Sequence, residues 1–184
     1  MPSNDSVKIA LALIERDKSK ILGLKVGTHT NVQPGTFIPK ADAQSPPALT
    51  FGPLSPEATY MVVALDIDAP FPSFGVLGPI LHWIQPDLKA TPVDGPPSSP
   101  QQYSLSSTTP FVANYIGPAP PPGSGPHRYV FFLYEQPPSF EGHRFAPPNG
   151  QKLSNGRRIR YSLDEWEEEA RLERVLAVNY FKSN

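Results

Sequence analysis

Apolar positions in this chain fall into short blocks separated by long polar and proline-rich stretches. Val7, Ala10, Leu11 and Ile14 recur at helical spacing, and Asn4, Asp5 or Ser6 can cap the start, which predicts a helix over Asp5–Ile14. Ile21–Val26 reads as a strand with Lys25 its one charge, and Ala48–Phe51 is long enough only for a short strand. Tyr60–Asp66 is the best strand, an apolar run that stops abruptly at two acids. Leu81–Gln85 is a short strand ended by Pro86, and 86–110 reads as an ordered surface loop. Tyr129–Glu135 carries consecutive aromatic and aliphatic residues, a pattern of burial on both faces.

The late helix has the clearest start signal. Ser162 and Glu165 form an S-x-x-E capping pattern, and Leu163, Trp166 and Ala170 share one face, predicting a helix over Leu163–Leu172. The acids from Asp164 to Glu169 favour the positive end of its dipole and read as a solvated face. Val175–Phe181 is a final strand. Short strands with a helix near each end predict a mostly β protein, an antiparallel β-sandwich with a few peripheral helices.

Composition narrows the function classes. Proline occupies 25 of 184 positions, far above the usual level near 5%, so long helices and coiled coils are excluded. Sixteen basic against seventeen acidic residues leave a formal net charge of −1, and no basic field points to nucleic acid. Without cysteine there are no disulfides, thiol nucleophiles or cysteine metal sites. The apolar run Ile9–Ile14 is too short to span a bilayer, and Met1–Ser6 lacks the pattern of a secretory leader. These features predict a single domain over residues 1–184, complete from its own Met1 and cytoplasmic.

Two constellations carry chemistry. Asp66-Ile67-Asp68-Ala69-Pro70 places two carboxylates at i and i+2, on one side of an extended chain, and His82 follows on the next strand. Close like charges need donors nearby, although a turn capped by one Asp and stiffened by Pro70 accounts for the same pattern. The second constellation runs from Tyr115 through Gly117, the prolines up to Pro122, Gly123-Ser124-Gly125 and Pro126 to His127-Arg128-Tyr129. It lacks the Gly-Lys-Ser/Thr of a phosphate loop and the dinucleotide fingerprint. Its prolines stiffen the approach to the strand, and alternation puts the His127 and Tyr129 rings on one face with Arg128 on the other. Such a loop suits recognition of a small anion. His29 and His143 sit in polar turns and read as exposed. Serines at Ser98, Ser99, Ser104 and Ser106 sit in no nucleophile elbow, so a hydrolase ranks low.

Taken together, Asp-x-Asp-Ala-Pro, His82-Trp83, Gly-Pro-x-Pro-Pro-x-Gly-x-Gly-x-His-Arg-Tyr and Tyr134-Glu135-Gln136 resemble the phosphatidylethanolamine-binding protein family from about Ile21 to Phe181. Asn179-Tyr180-Phe181 is similar to its fungal branch. The resemblance implies a ligand pocket of Asp66, Asp68, Pro70, His82, Gly117, His127 and Tyr129, with a cis bond at Ala69–Pro70. It implies no metal and no cofactor. The expected ligand is a small anion: phosphate, phosphoethanolamine or a carboxylate. His82, His127 and Tyr129 would donate to it, Asp66 would orient an imidazole, Asp68 would anchor the turn, and Arg128 would face away.

The chain departs from the family pattern at Ile67, Ile80, Leu81 and Ala119, and it stops at Asn184 without the C-terminal helix that closes one side of the pocket in mammalian members. These changes predict a more apolar and more open mouth. The implied function is binding of an anion or phospholipid head group, with a protease, kinase or pathway enzyme as protein partner. The alternative is a catalyst or accessory in a fungal natural-product pathway, such as dimerising cyclisation of a maleic anhydride or dicarboxylate unit. There Asp66, His82, His127 and Tyr129 would serve as catalytic groups.

Overall fold

The computed structural model describes residues 4–73, 77–95 and 100–184. Eight strands follow the first helix in the order β1 (Gly23–Lys25), β2 (Thr36–Phe37), β3 (Ala48–Phe51), β4 (Tyr60–Asp66), β5 (Ile80–Val93), β6 (Gln102–Ser106), β7 (His127–Glu135) and β8 (Ala177–Ser183). Helix α1 spans Asp5–Arg16 and α2 spans Leu163–Glu169. The strands form one mixed, curled sheet in the order β1-β3-β6-β5-β4-β7-β8-β2. Mostly β is therefore right, but two antiparallel sheets packed as a sandwich are not what forms. β2 runs parallel to β8, and β5 is long enough to pair β4 with its first half and β6 with its second.

Every residue of β4 is buried because the strand has a core on each face. Tyr60, Val62 and Ala64 join Tyr129, Phe131 and Leu133 inside the curl. Met61, Val63 and Leu65 join Val130, Phe132 and Tyr134 on the outer face, which α1 covers with Val7, Ala10 and Ile14 and α2 with Leu163 and Trp166. Consecutive apolar residues, rather than alternation, are what such a central strand requires.

The stretch read as loop after Pro86 is a hairpin instead. Between Tyr60 and Val62 the β4–β5 register slips, and Asp87 takes φ 58 beside Pro86, so the proline sits in a bulge rather than at a strand end. β5 then continues to Val93 and pairs with β6 from Lys89↔Ser106 to Val93↔Gln102. A rule that stops strands at proline misses this, because the lost amide donor falls where the ladder is already broken. Part of the expected loop, residues 96–99, lies outside the described residues.

The two helices cap each other. The Asp164 carboxylate accepts from the backbone N–H of Asp5 (3.1 Å) and Ser6 (2.9 Å), while Asn4 Oδ1 accepts from Leu163 N–H (2.8 Å). Ser162 Oγ accepts from Glu165 N–H as the capping pattern predicts. Glu167 accepts from the Tyr134 hydroxyl and from Ser6 Oγ. The acidic run is thus only partly a solvated face, since Asp164 and Glu167 lock α1 and α2 onto the sheet. α2 ends at Glu169, earlier than expected, and Arg171 at φ 53 turns the chain away. Among the described residues no helix is long and apolar enough to cross a membrane.

Removing the inter-helix cap should be measurable. Asp164→Ala should lower the unfolding free energy by about 1 kcal/mol in urea titrations, and Asp164→Asn, which keeps an acceptor, should cost less.

Candidate functional site

A cavity of about 290 Å³ opens at the end of β4. One wall is the bend after Asp66, with Ala69 and Pro70 joined by a cis peptide. β5 supplies Ile80 and His82, the proline loop supplies Ile116, Gly117 and Ala119 to Pro121, and the turn before α2 supplies Asn155, Arg158 and Ile159.

His82 reaches the cavity through a second bulge. Ala64 pairs with Trp83 but Leu65 pairs with Leu81, leaving His82 unpaired on β4. Leu81 consequently faces the outer core, while Trp83 faces the inner one. Bulges of this kind re-aim a side chain near a site. The backbone beside it is held by Ile116 N–H, which donates to His82 O at 2.9 Å. The imidazole Nδ1–H donates to Ile116 O at 2.7 Å, which fixes the tautomer and leaves Nε2 bare. Burial pushes the His82 pKa below its ordinary 6.5; the Ile116 carbonyl and the Asp66 charge oppose that shift without cancelling it.

Asp66 is saturated. Its Oδ2 accepts from His127 Nδ1 at 2.8 Å and its Oδ1 accepts from Asp68 N–H at 2.9 Å. The two aspartates do not share a side, because the strand ends at Asp66 and the chain bends before Asp68. Asp68 turns instead to Arg128, accepting from its backbone N–H, Nε and Nη2 at 2.8, 2.8 and 2.6 Å. That fork anchors the turn and keeps Asp68 out of the cavity wall.

Tyr129 stands behind the two imidazoles, edge-on to His82 at 5.0 Å between centroids and stacked with His127 at 6.5 Å. Its buried hydroxyl makes no hydrogen bond of ordinary geometry among the described residues. Burial and the Asp66 carboxylate together push its pKa far up, so it stays a neutral donor. Gly117 lines the cavity, but its lack of a side chain answers a neighbour: a Cβ there would lie 2.9 Å from Ala43 O. Of the apolar departures, Ile80 and Ala119 line the cavity, whereas Leu81 and Ile67 pack into the outer core and leave its mouth unchanged.

Two site residues escaped the sequence reading. Arg158 is 1% exposed and lines the cavity. Its guanidinium donates to Leu153 O, Leu81 O, Asn114 O and Asn114 Oδ1, at 2.7 to 3.2 Å, and no carboxylate pairs with it among the described residues. An arginine in Asn-Gly-Arg-Arg-Ile-Arg reads as solvated, and only the tertiary fold buries it. The other is Ser124, whose Oγ lies 2.6 Å from His127 Nε2. Among the described residues no group of three or more His, Asp or Glu side chains is placed to hold a metal.

Comparison with known proteins agrees with this architecture. The family model described as phosphatidylethanolamine-binding protein matches residues 28–181. The carboxypeptidase Y inhibitor of Saccharomyces cerevisiae is 27% identical over 190 residues, covering 89% of this chain and 83% of the inhibitor. Phomoidride biosynthesis cluster protein N of Talaromyces stipitatus is 34% identical over 125 residues, 66% of this chain but 57% of that protein. Among solved structures, carboxypeptidase Y inhibitor complexed with its cognate proteinase superposes with a TM-score of 0.71 at 26% identity, covering 98% of this chain and 93% of the inhibitor. The phosphatidylethanolamine-binding protein of Plasmodium vivax shares the fold, with a TM-score of 0.62 at 16% identity over 100% of this chain and 98% of its own.

The depressed His82 pKa has a signed consequence. Above pH 6.5 the ring is neutral folded or unfolded; below it, the unfolded chain takes the proton first, so His82 costs stability as pH falls toward its folded pKa. An NMR titration should place the His82 midpoint below 6.5, and His82→Gln should flatten the fall of unfolding free energy between pH 7 and 5.

Proposed function

The chain belongs to the phosphatidylethanolamine-binding protein family, and we propose that its cavity recognises a small anion or the phosphate of a lipid head group. The observation that carries this reading is an excess of donors over acceptors. Arg158 brings a buried cation with no carboxylate partner among the described residues, and the Tyr129 hydroxyl, beside the Asp66 carboxylate, remains a neutral donor. Asp66, the one carboxylate in the wall, already has both oxygens engaged. Buried cations are costly unless paired, so an anion entering the cavity would complete what the fold leaves incomplete.

His82 makes recognition proton-dependent. With Nδ1–H committed to Ile116 O, the neutral ring presents a lone pair to the cavity. An anion is accepted only if the ring takes a proton or the ligand brings one, as a monoprotonated phosphate or an ammonium head group does. The fold leaves the protein free to act through a partner, and the carboxypeptidase Y inhibitor, known in complex with its cognate proteinase, makes a carboxypeptidase the first partner to try.

A second reading rests on the cavity's hydrocarbon walls. Ile80, Ile116 and Ile159 would suit an anion with an apolar body, such as an alkylated dicarboxylate. The relative from a phomoidride biosynthesis cluster favours the same kind of ligand and a pathway role, in which Asp66, His82, His127 and Tyr129 would act in proton transfer.

Calorimetry with inorganic phosphate, phosphoethanolamine and an alkylated maleate distinguishes these readings. Binding should tighten from pH 7.5 to pH 5.5 with net proton uptake, visible as a dependence on buffer ionisation enthalpy. Losing a charge-assisted hydrogen bond costs about 1.5–3 kcal/mol, so Arg158→Met, checked for intact fold by circular dichroism, should weaken binding by roughly 10- to 100-fold. Unchanged affinity for every anion in His82→Ala, His127→Ala double variants would place the ligand elsewhere.

A further inference from the structure

Ser124, His127 and Asp66 form an unbroken relay: Ser124 Oγ to His127 Nε2 is 2.6 Å, and His127 Nδ1 to Asp66 Oδ2 is 2.8 Å. From this geometry we infer that Ser124 is an activated nucleophile able to take an acyl group from small activated esters. Such triads are recognised by geometry and role, not by chain order or fold.

Each member has the environment its role needs. Asp66 is buried, and because a carboxylate accepts, His127 must carry its proton on Nδ1. That tautomer leaves Nε2 as the acceptor that faces the serine hydroxyl. His127 is 0% exposed, so its orientation is fixed, while Ser124 is half-buried at the rim where a substrate can arrive. Other contacts of Ser124 Oγ are weaker: Gly125 O at 3.0 Å and Pro70 O at 3.4 Å.

The loop is built as a tight presenting turn. Ser124 N–H donates to Pro121 O at 3.0 Å, and Gly123 supplies the φ of 80 that a side chain would resist. Gly125 N–H has no partner among the described residues, leaving a donor on the residue after the nucleophile, where acyl-transfer enzymes commonly place one for the oxyanion. The adjoining cavity, walled by Ala69, Ile80 and Ile116, has room for an acyl chain of a few carbons.

The step balances without a cofactor. Ser124 Oγ attacks the acyl carbon while its proton passes to His127 Nε2. The bond to the leaving alcohol breaks, and His127 returns the proton to it. Water, deprotonated by His127, then releases the carboxylic acid and restores Ser124. Asp66 is a positioning residue in this scheme, since it touches only the imidazole.

Labelling the full chain with a fluorophosphonate, followed by peptide mass mapping, tests this independently of anion binding. The reagent forms an Oγ–P bond and expels fluoride. The adduct should form at Ser124 in preference to the exposed Ser106, which is an internal control on the same molecule. Ser124→Ala should remove it without altering the thermal unfolding curve. His127→Gln should slow it by roughly 10²- to 10⁴-fold, and Asp66→Asn should displace its pH profile. With p-nitrophenyl butyrate the wild type should release nitrophenol in a burst that Ser124→Ala lacks. Labelling of Ser124 no faster than of Ser106, or no burst from wild-type protein, would overturn the inference.

Discussion

A carboxylate in the interior sets the terms for everything at this end of the molecule. Asp66 closes a strand whose residues have protein on both faces, so its charge can persist only with donors supplied by the chain. Those donors are the His127 ring at the start of β7 and the Asp68 amide in the bend. Meeting both fixes the β4–β7 register at its end and turns the chain immediately after the strand. The ends of two neighbouring strands are thereby held open around a polar centre instead of closing into more core.

The same economy of partners shapes the rest of the cavity. Asp68 satisfies Arg128 on the opposite face, so neither charge intrudes on the site. Arg158 is satisfied by carbonyls alone, which meet its donors but do not neutralise it. His82 donates its Nδ1–H to Ile116 O and keeps the Nε2 lone pair for whatever enters. The few polar and charged groups of the site are therefore incompletely matched, inside walls that are largely apolar. Mismatch of this kind is costly to the empty fold and is a reason to expect a ligand.

His127 stands where two possible uses of the site meet. Through Nδ1 it is bound to Asp66, and through Nε2 it faces Ser124 across the rim of the cavity. Whatever contacts that nitrogen competes with the serine hydroxyl, so the proposed recognition of an anion and the proposed activation of Ser124 would draw on one atom. Both would depend on the ring being immobile, which its bond to Asp66 and its stacking with Tyr129 help to secure.

Local signals in the sequence determined the elements whose burial pattern is one-dimensional: α1 from its helical spacing, β4 and β7 from unbroken apolar runs, and the start of α2 from Ser162 and Glu165. The motifs around Asp66 and His127 also made the family resemblance and much of the pocket legible from the order of residues alone. Three features were decided only in three dimensions. Pro86 lies in a bulge, so β5 runs on and the expected sandwich becomes one curled mixed sheet. The bulge at His82 chooses which core that side chain faces, a matter of strand register that no residue announces. Arg158 and Ser124 lie 31 and 3 positions from His127 in the chain, yet one belongs to the cavity wall and the other to the imidazole. A charge or hydroxyl in a loop reads as solvated because water is its default partner, and only the packing of distant segments can withdraw that water and give it a different one.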